Sequence, residues 1–190
     1  MKEIFGIIAI ILAIVAYVPY FRDIIKGKTK PHVYTWFVWG FITCIIFALQ
    51  IKGGAGIGAY VTLLTGIFSF VVFLLGLKFG DKDITFSDTV FFISALLATV
   101  LWVFAKQPVL SVVLLVVIDL LGFIPTIRKS WNKPFSETLF TWELNAFRHG
   151  LSIFALLQYN ILTLFYPVAW TSACVLFSVM LIARRKIINI

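Results

Sequence analysis

Tyr17-Val18-Pro19-Tyr20-Phe21-Arg22, followed after a basic loop by Tyr34-Thr35-Trp36-Phe37-Val38-Trp39-Gly40-Phe41, is the stretch that decides the fold, because the chain carries it twice. A shift of 106 positions lands on Phe123-Ile124-Pro125-Thr126-Ile127-Arg128 and then on Phe140-Thr141-Trp142-Glu143-Leu144-Asn145-Ala146-Phe147. Pro, Arg, Thr, Trp and Phe recur in one register. Ile46-Phe47-Ala48-Leu49 returns as Ile153-Phe154-Ala155-Leu156, shifted by 107, which reads as one residue gained between. Chance gives one such match in so apolar a chain; several in one register mark an internal duplication.

Around this repeat the chain is 62% hydrophobic and 13% charged over 190 residues, with a mean hydropathy of +1.06. A soluble domain of this size has no interior large enough for that much apolar surface, so lipid is the expected solvent. Cys44 and Cys174 both sit in apolar runs and read as small buried hydrophobes. Only His32 and His149 could join them, so no metal site and no cofactor is expected. The run after Met1-Lys2-Glu3 has the form of a secretory signal. The same pattern returns internally near Val109 to Arg128, where no signal peptidase acts, so the first run reads as a retained span.

Crossing ~30 Å of hydrocarbon takes about 20 residues. Seven runs qualify: 3–21, 33–51, 55–78, 87–105, 108–128, 138–158 and 161–183. The expected fold is all-α and integral to the membrane, with seven transmembrane helices in a 3+1+3 arrangement. Residues 1–80 form a first three-helix bundle, 81–106 a linker helix that inverts direction, and 107–190 a second bundle. Lys and Arg concentrate in one set of loops, which holds 12 of the 16; Lys2, Lys52 and Lys106 lie in the other set and Arg148 inside a span. The basic side is expected in the cytoplasm of a multi-pass plasma-membrane protein, with the N-terminus outside and the C-terminus inside. Topology thus accounts for the net charge of +8, and nucleic acid need not be invoked. An even number of crossings separates the copies, so they should point the same way, with a substrate path between them near mid-membrane.

Three spans, one inverter and three spans, with Pro19 and Pro125 near the inner end of each first helix, resembles the SWEET, SemiSWEET and PQ-loop (MtN3-like) transporter superfamily. The PnuC-type vitamin-precursor transporters are similar in architecture. Tyr20 and Thr126 follow the prolines where the PQ-loop motif has Gln. Tyr60 and Tyr166 stand nearest the positions that carry Asn in bacterial sugar-transporting relatives. The resemblance implies alternating access between two bundles and transport of a solute such as a sugar.

The residues themselves suggest where such a solute would bind. Trp142, Asn145, His149 and Ser152 fall three or four apart and share one helix face, with Arg148 at its edge. The equivalent stripe on the second span is Trp36, Trp39, Thr43 and Ile46. The two faces should meet across the path, aromatic on one side and polar on the other. Trp36 and Trp142 suit an interfacial belt equally well. Tyr60 and Tyr166 add hydroxyls on apolar rings. Asp119 and Arg148 are both expected near the midplane, where pairing is the cheapest arrangement for two charges; the pair reads equally as a structural lock or as part of the path. Glu143 lies about one turn into its span. Pro19 and Pro125 each remove a backbone donor and read as kinks or as hinges of an inner gate.

The expected activity is facilitated or proton-linked transport of a small polar solute: a sugar, a nucleoside or a vitamin precursor. The expected partners are that solute and the bilayer, and self-association stays open. A non-transporting accessory subunit or receptor is the second class. An intramembrane enzyme is not expected, since no paired Asp, metal spacing or nucleophile with a base at helical spacing occurs.

Overall fold

Long apolar runs in lipid leave the backbone one way to satisfy its own polar groups within a segment, which is to coil. The computed structural model describes residues 1–86, 88–90, 92, 93, 96, 97 and 107–188, and these form helices and turns without strands. In chain order they are α1 (Lys2–Ile25), α2 (Val33–Lys52), α3 (Ala59–Phe79, entered through a 3-10 turn at Gly56–Gly58), α4 (Pro108–Leu121), α5 (Ile124–Asn132), α6 (Leu139–Ala155) and α7 (Ile161–Ile188). Five helical segments are long and apolar enough to cross a membrane: α1, α2, Gly56–Phe79, Pro108–Asn132 and α7.

The fifth and sixth expected spans differ in the structure. The linker helix at 87–105 falls largely outside the described residues. The sixth span, expected over 138–158, shrinks to the 17 residues of α6; at 1.5 Å per residue that is about 26 Å. Its polar face also dilutes its hydropathy. The fifth span is broken. Gly122 and Phe123 separate α4 from α5, and Pro125 sits in the first turn of α5, where its missing N–H costs nothing. The matching Pro19 lies inside an unbroken α1.

The helices pack in a repeating pattern. α3 packs on α1 and α2, and α7 packs on α4 and α6. Between the copies, α1 lies on α6 and α2 on α4, so exchanging the copies returns the same set of neighbours. The copies also run the same way. Lys30 N donates to Ser136 O at 3.0 Å at the basic end. Lys2 Nζ donates to Leu157 O at 3.1 Å, and Leu157 N to Ala55 O at 3.2 Å, at the other. Gly56 supplies that second contact: its φ is +63°, and a Cβ there would run into the Leu157 side chain.

Burial fixes the register of the duplication. Ala9/Leu115, Ala13/Asp119, Tyr20/Thr126, Thr35/Thr141, Trp36/Trp142, Trp39/Asn145, Ile42/Arg148, Thr43/His149 and Ile46/Ser152 are all buried pairs at a spacing of 106. The Ile-Phe-Ala-Leu match at 107 is therefore one position out of phase, and Phe154 is 59% exposed. In the third helices the buried pairs fall at 105 instead, with Ser69/Cys174, Val72/Phe177 and Gly76/Leu181. One residue was lost in the turn rather than gained before it.

Candidate functional site: a buried polar cavity between the repeats

α2 and α6 face each other through the polar and aromatic stripes that the sequence shows at helical spacing. Between them lies a cavity that brings together Trp36, Trp39, Thr43, Asp119, Trp142, Asn145, Arg148, His149 and Tyr166. Tyr17, Thr65, Ser69, Trp170 and Cys174 complete the lining. Its volume is about 20 Å³, room for roughly one water molecule. Four indoles form one part of the wall. Trp39 meets Trp36, Trp142 and Trp170 with ring centroids 4.9, 6.0 and 4.8 Å away. His149 stacks 6.4 Å from Trp170.

Arg148 and Asp119 both reach this cavity but do not pair. Among the described residues no ion pair joins them, contrary to expectation. Arg148 Nε donates to Asn145 Oδ1 at 2.6 Å, three residues back on the same helix face. Its Nη1 donates to Thr65 Oγ1 at 2.9 Å, and the guanidinium lies 5.9 Å from the Tyr17 ring centroid. Asp119 Oδ2 instead accepts from Trp170 Nε1 at 2.8 Å, and its backbone carbonyl accepts from Trp39 Nε1 at 2.9 Å. Neutral partners thus hold each charge in place on its own wall. Three buried polar atoms on the lining make no hydrogen bond: Asp119 Oδ1, Arg148 Nη2 and Trp36 Nε1. The hydroxyls of Tyr17 and Tyr20 stand near the last two without closing a bond of normal geometry.

Comparisons with protein-family models, with curated proteins and with solved structures find no match.

Two expected site residues lie elsewhere. Tyr60 is 50% exposed and packs on Phe47, because the third helices align at 105 and put it out of phase with the buried Tyr166. Glu143 faces outward, one turn into α6 and on the side opposite Trp142 and Asn145. Both halves of α3's contribution went unread. Thr65 and Ser69 sit four apart in an otherwise apolar run, and with Thr62 they mark one polar face.

Glu137 was also missed. It is 2% exposed and closes the basic end beneath the cavity. Its carboxylate accepts from Tyr20 Oη at 2.8 Å and Trp142 Nε1 at 3.1 Å, and pairs with Lys129 Nζ. Arg185 Nη2 donates to its carbonyl at 2.6 Å, and Lys129 Nζ to Lys30 O at 2.6 Å. One residue in the loop before α6 thereby ties α1, α5, α6 and α7 together. Around this closure, Thr138 Oγ1 donates to Asp23 Oδ2 at 3.1 Å and Thr126 Oγ1 to Thr35 Oγ1 at 3.1 Å. His32, buried at the start of α2, has Nε2 3.4 Å from Asp88 Oδ2, out of line for a hydrogen bond. Burial pushes the His32 imidazole down from its ordinary value, and Asp88 only partly opposes this.

Proposed function

We propose that the protein is a membrane transporter that moves a small polar solute by alternating access between two like-facing three-helix bundles, 1–80 and 107–190, joined by a linker helix. In this reading the basic end is cytoplasmic and the N-terminus is outside. The observation that carries it is the cavity: ionisable side chains and unpaired polar atoms on an aromatic-lined site, midway along long apolar helices. A purely structural core has no use for them. A charge at mid-membrane costs roughly 2.5–3.5 kcal/mol on insertion scales, and such residues mark solute paths by default. The burial of every lining side chain around a cavity the size of one water fits an occluded state, which a transporter passes through in each cycle. Likeness to the SWEET and PQ-loop superfamily supports the same reading, through the repeat and the paired prolines.

The smallness of the cavity favours one competitor, a sealed protein of similar fold that acts as an accessory subunit or receptor. Uptake by proteoliposomes separates the two. Purified protein should take up at least one solute from a panel of sugars, nucleosides, vitamins and amino acids. Asn145→Ala, which frees Arg148, and Trp39→Ala should each lower that uptake severalfold. An absence of uptake across the panel would leave the non-transporting reading.

A further inference from the structure

The cavity holds a carboxyl group and a guanidinium that the fold neither pairs nor needs. In the first copy the same positions are Ala13 and Ile42, and both are fully buried and apolar. The packing is therefore satisfied without charge, and Asp119 and Arg148 answer to something else. Each is anchored by a neutral partner, Trp170 for Asp119 and Asn145 with Thr65 for Arg148. Each keeps one polar atom unsatisfied on the lining, Oδ1 of the carboxylate and Nη2 of the guanidinium. One vacancy is a carboxyl oxygen; the other is a cationic donor. A neutral sugar could fill both hydrogen bonds but would leave Arg148 uncompensated and bring no cation to Asp119.

Resting on the transporter reading, we infer that the solute is a small zwitterion, an amino-acid-like molecule whose carboxylate meets Arg148 and whose N–H-bearing ammonium meets Asp119. Such a molecule compensates both charges and both vacancies at once, and its own charges need those walls to leave water. Trp36 Nε1 offers a further donor to the carboxylate. The indole and tyrosine rings around the site favour the ammonium through their faces. At about 20 Å³ the occluded cavity must widen even for the smallest such solute, which favours few carbons over bulky side chains.

The test uses the full chain in lipid nanodiscs, with tryptophan fluorescence and calorimetry as readouts. The probes are L-alanine, its two half-molecules ethylamine and propionate, and the neutral solutes glucose and uridine. Alanine should bind, and each half-molecule should bind about 10- to 100-fold more weakly, the size of a lost charge-assisted hydrogen bond. Asp119→Asn, nearly isosteric and still able to accept from Trp170, should weaken alanine by a similar factor and leave propionate unchanged. If that variant does not fold, the comparison of whole and half molecules decides alone. Binding of glucose or uridine without alanine overturns the zwitterion and leaves the transporter reading standing. Equal binding of alanine and a half-molecule overturns it as well. No binding of any of these probes overturns the zwitterion, while the transporter reading falls only if the wider panel also shows no uptake.

Discussion

Trp170 shows how much of the site rests on single donors. Its indole N–H is the one described hydrogen-bond partner of the Asp119 carboxylate, at 2.8 Å. Trp170→Phe keeps most of the ring packing against Trp39 and strips that bond. A buried acceptor left bare costs about 1–3 kcal/mol. The unfolding midpoint of the purified protein should therefore fall by several degrees. Tyr60→Phe, at a half-exposed position on the other side of α3, should stay within about 0.5 kcal/mol of wild type. If the two variants lose equal stability, the assignment of Trp170 is wrong. The contrast also marks what a sequence can say about a residue. Trp39 on α2, and Asn145 and His149 on α6, could be read because helical spacing alone puts each on the polar or aromatic stripe of its own helix. Tyr60 could not, because its phase depends on one residue lost in a turn. The separation of Asp119 from Arg148 could not be read either, since it depends on neutral partners contributed by α3 and α7.

The elements that meet at the basic end share one buried ion pair, between Lys129 in α5 and Glu137 in the loop before α6. Removing one member leaves the other charged and unpaired in a closed interior, at about 3–5 kcal/mol. Glu137→Gln should thus be strongly destabilising, and Lys129→Met with Glu137→Gln should recover much of the loss, since no buried charge is then left unpaired and Gln still accepts from Tyr20 and Trp142. Chemical unfolding in detergent measures both; a double variant no better than the single would count against the pair as the reason. His32 adds a pH dependence at the same end. Burial holds its folded pKa below 6.5, so the folded protein keeps it neutral while the unfolded chain protonates near 6.5. Its contribution is whole above 6.5 and is lost as the pH falls from there through the lowered folded value. Thermal unfolding from pH 8 to 5 should show the midpoint dropping below about 6.5. His32→Gln should flatten that drop. Helix limits were mostly legible from apolar runs, but this closure was not. Glu137 sits opposite Pro31 in the repeat, so the duplication offered no counterpart to draw attention to it.

For the molecule as a whole, the direction of each copy sets the topology. The basic loops at 26–32 and 133–138 lie together, and the turns at 53–58 and 156–160 lie together at the far end. The two copies of the repeat are therefore parallel, although three helices in tandem would return a fourth in the opposite sense. In the proposed topology an extra crossing between Phe79 and Pro108 would resolve this, and the apolar run at 87–105 has the sequence length for it. Single cysteines at exposed positions report which end faces which compartment. Lys28→Cys and Lys133→Cys belong to different copies and the same end; Lys52→Cys belongs to the other. Cys44 is half-buried and Cys174 buried, so the natural thiols should give a low background. With a membrane-impermeant maleimide, Lys52→Cys should label on intact cells. Lys28→Cys and Lys133→Cys should label only after permeabilisation, because basic loops are retained in the cytoplasm. Reversed labelling of all three would invert the protein and leave the parallel repeat intact. Labelling of Lys28→Cys and Lys133→Cys from opposite sides would place the copies upside down to each other, and the shared cavity between α2 and α6 could not then exist.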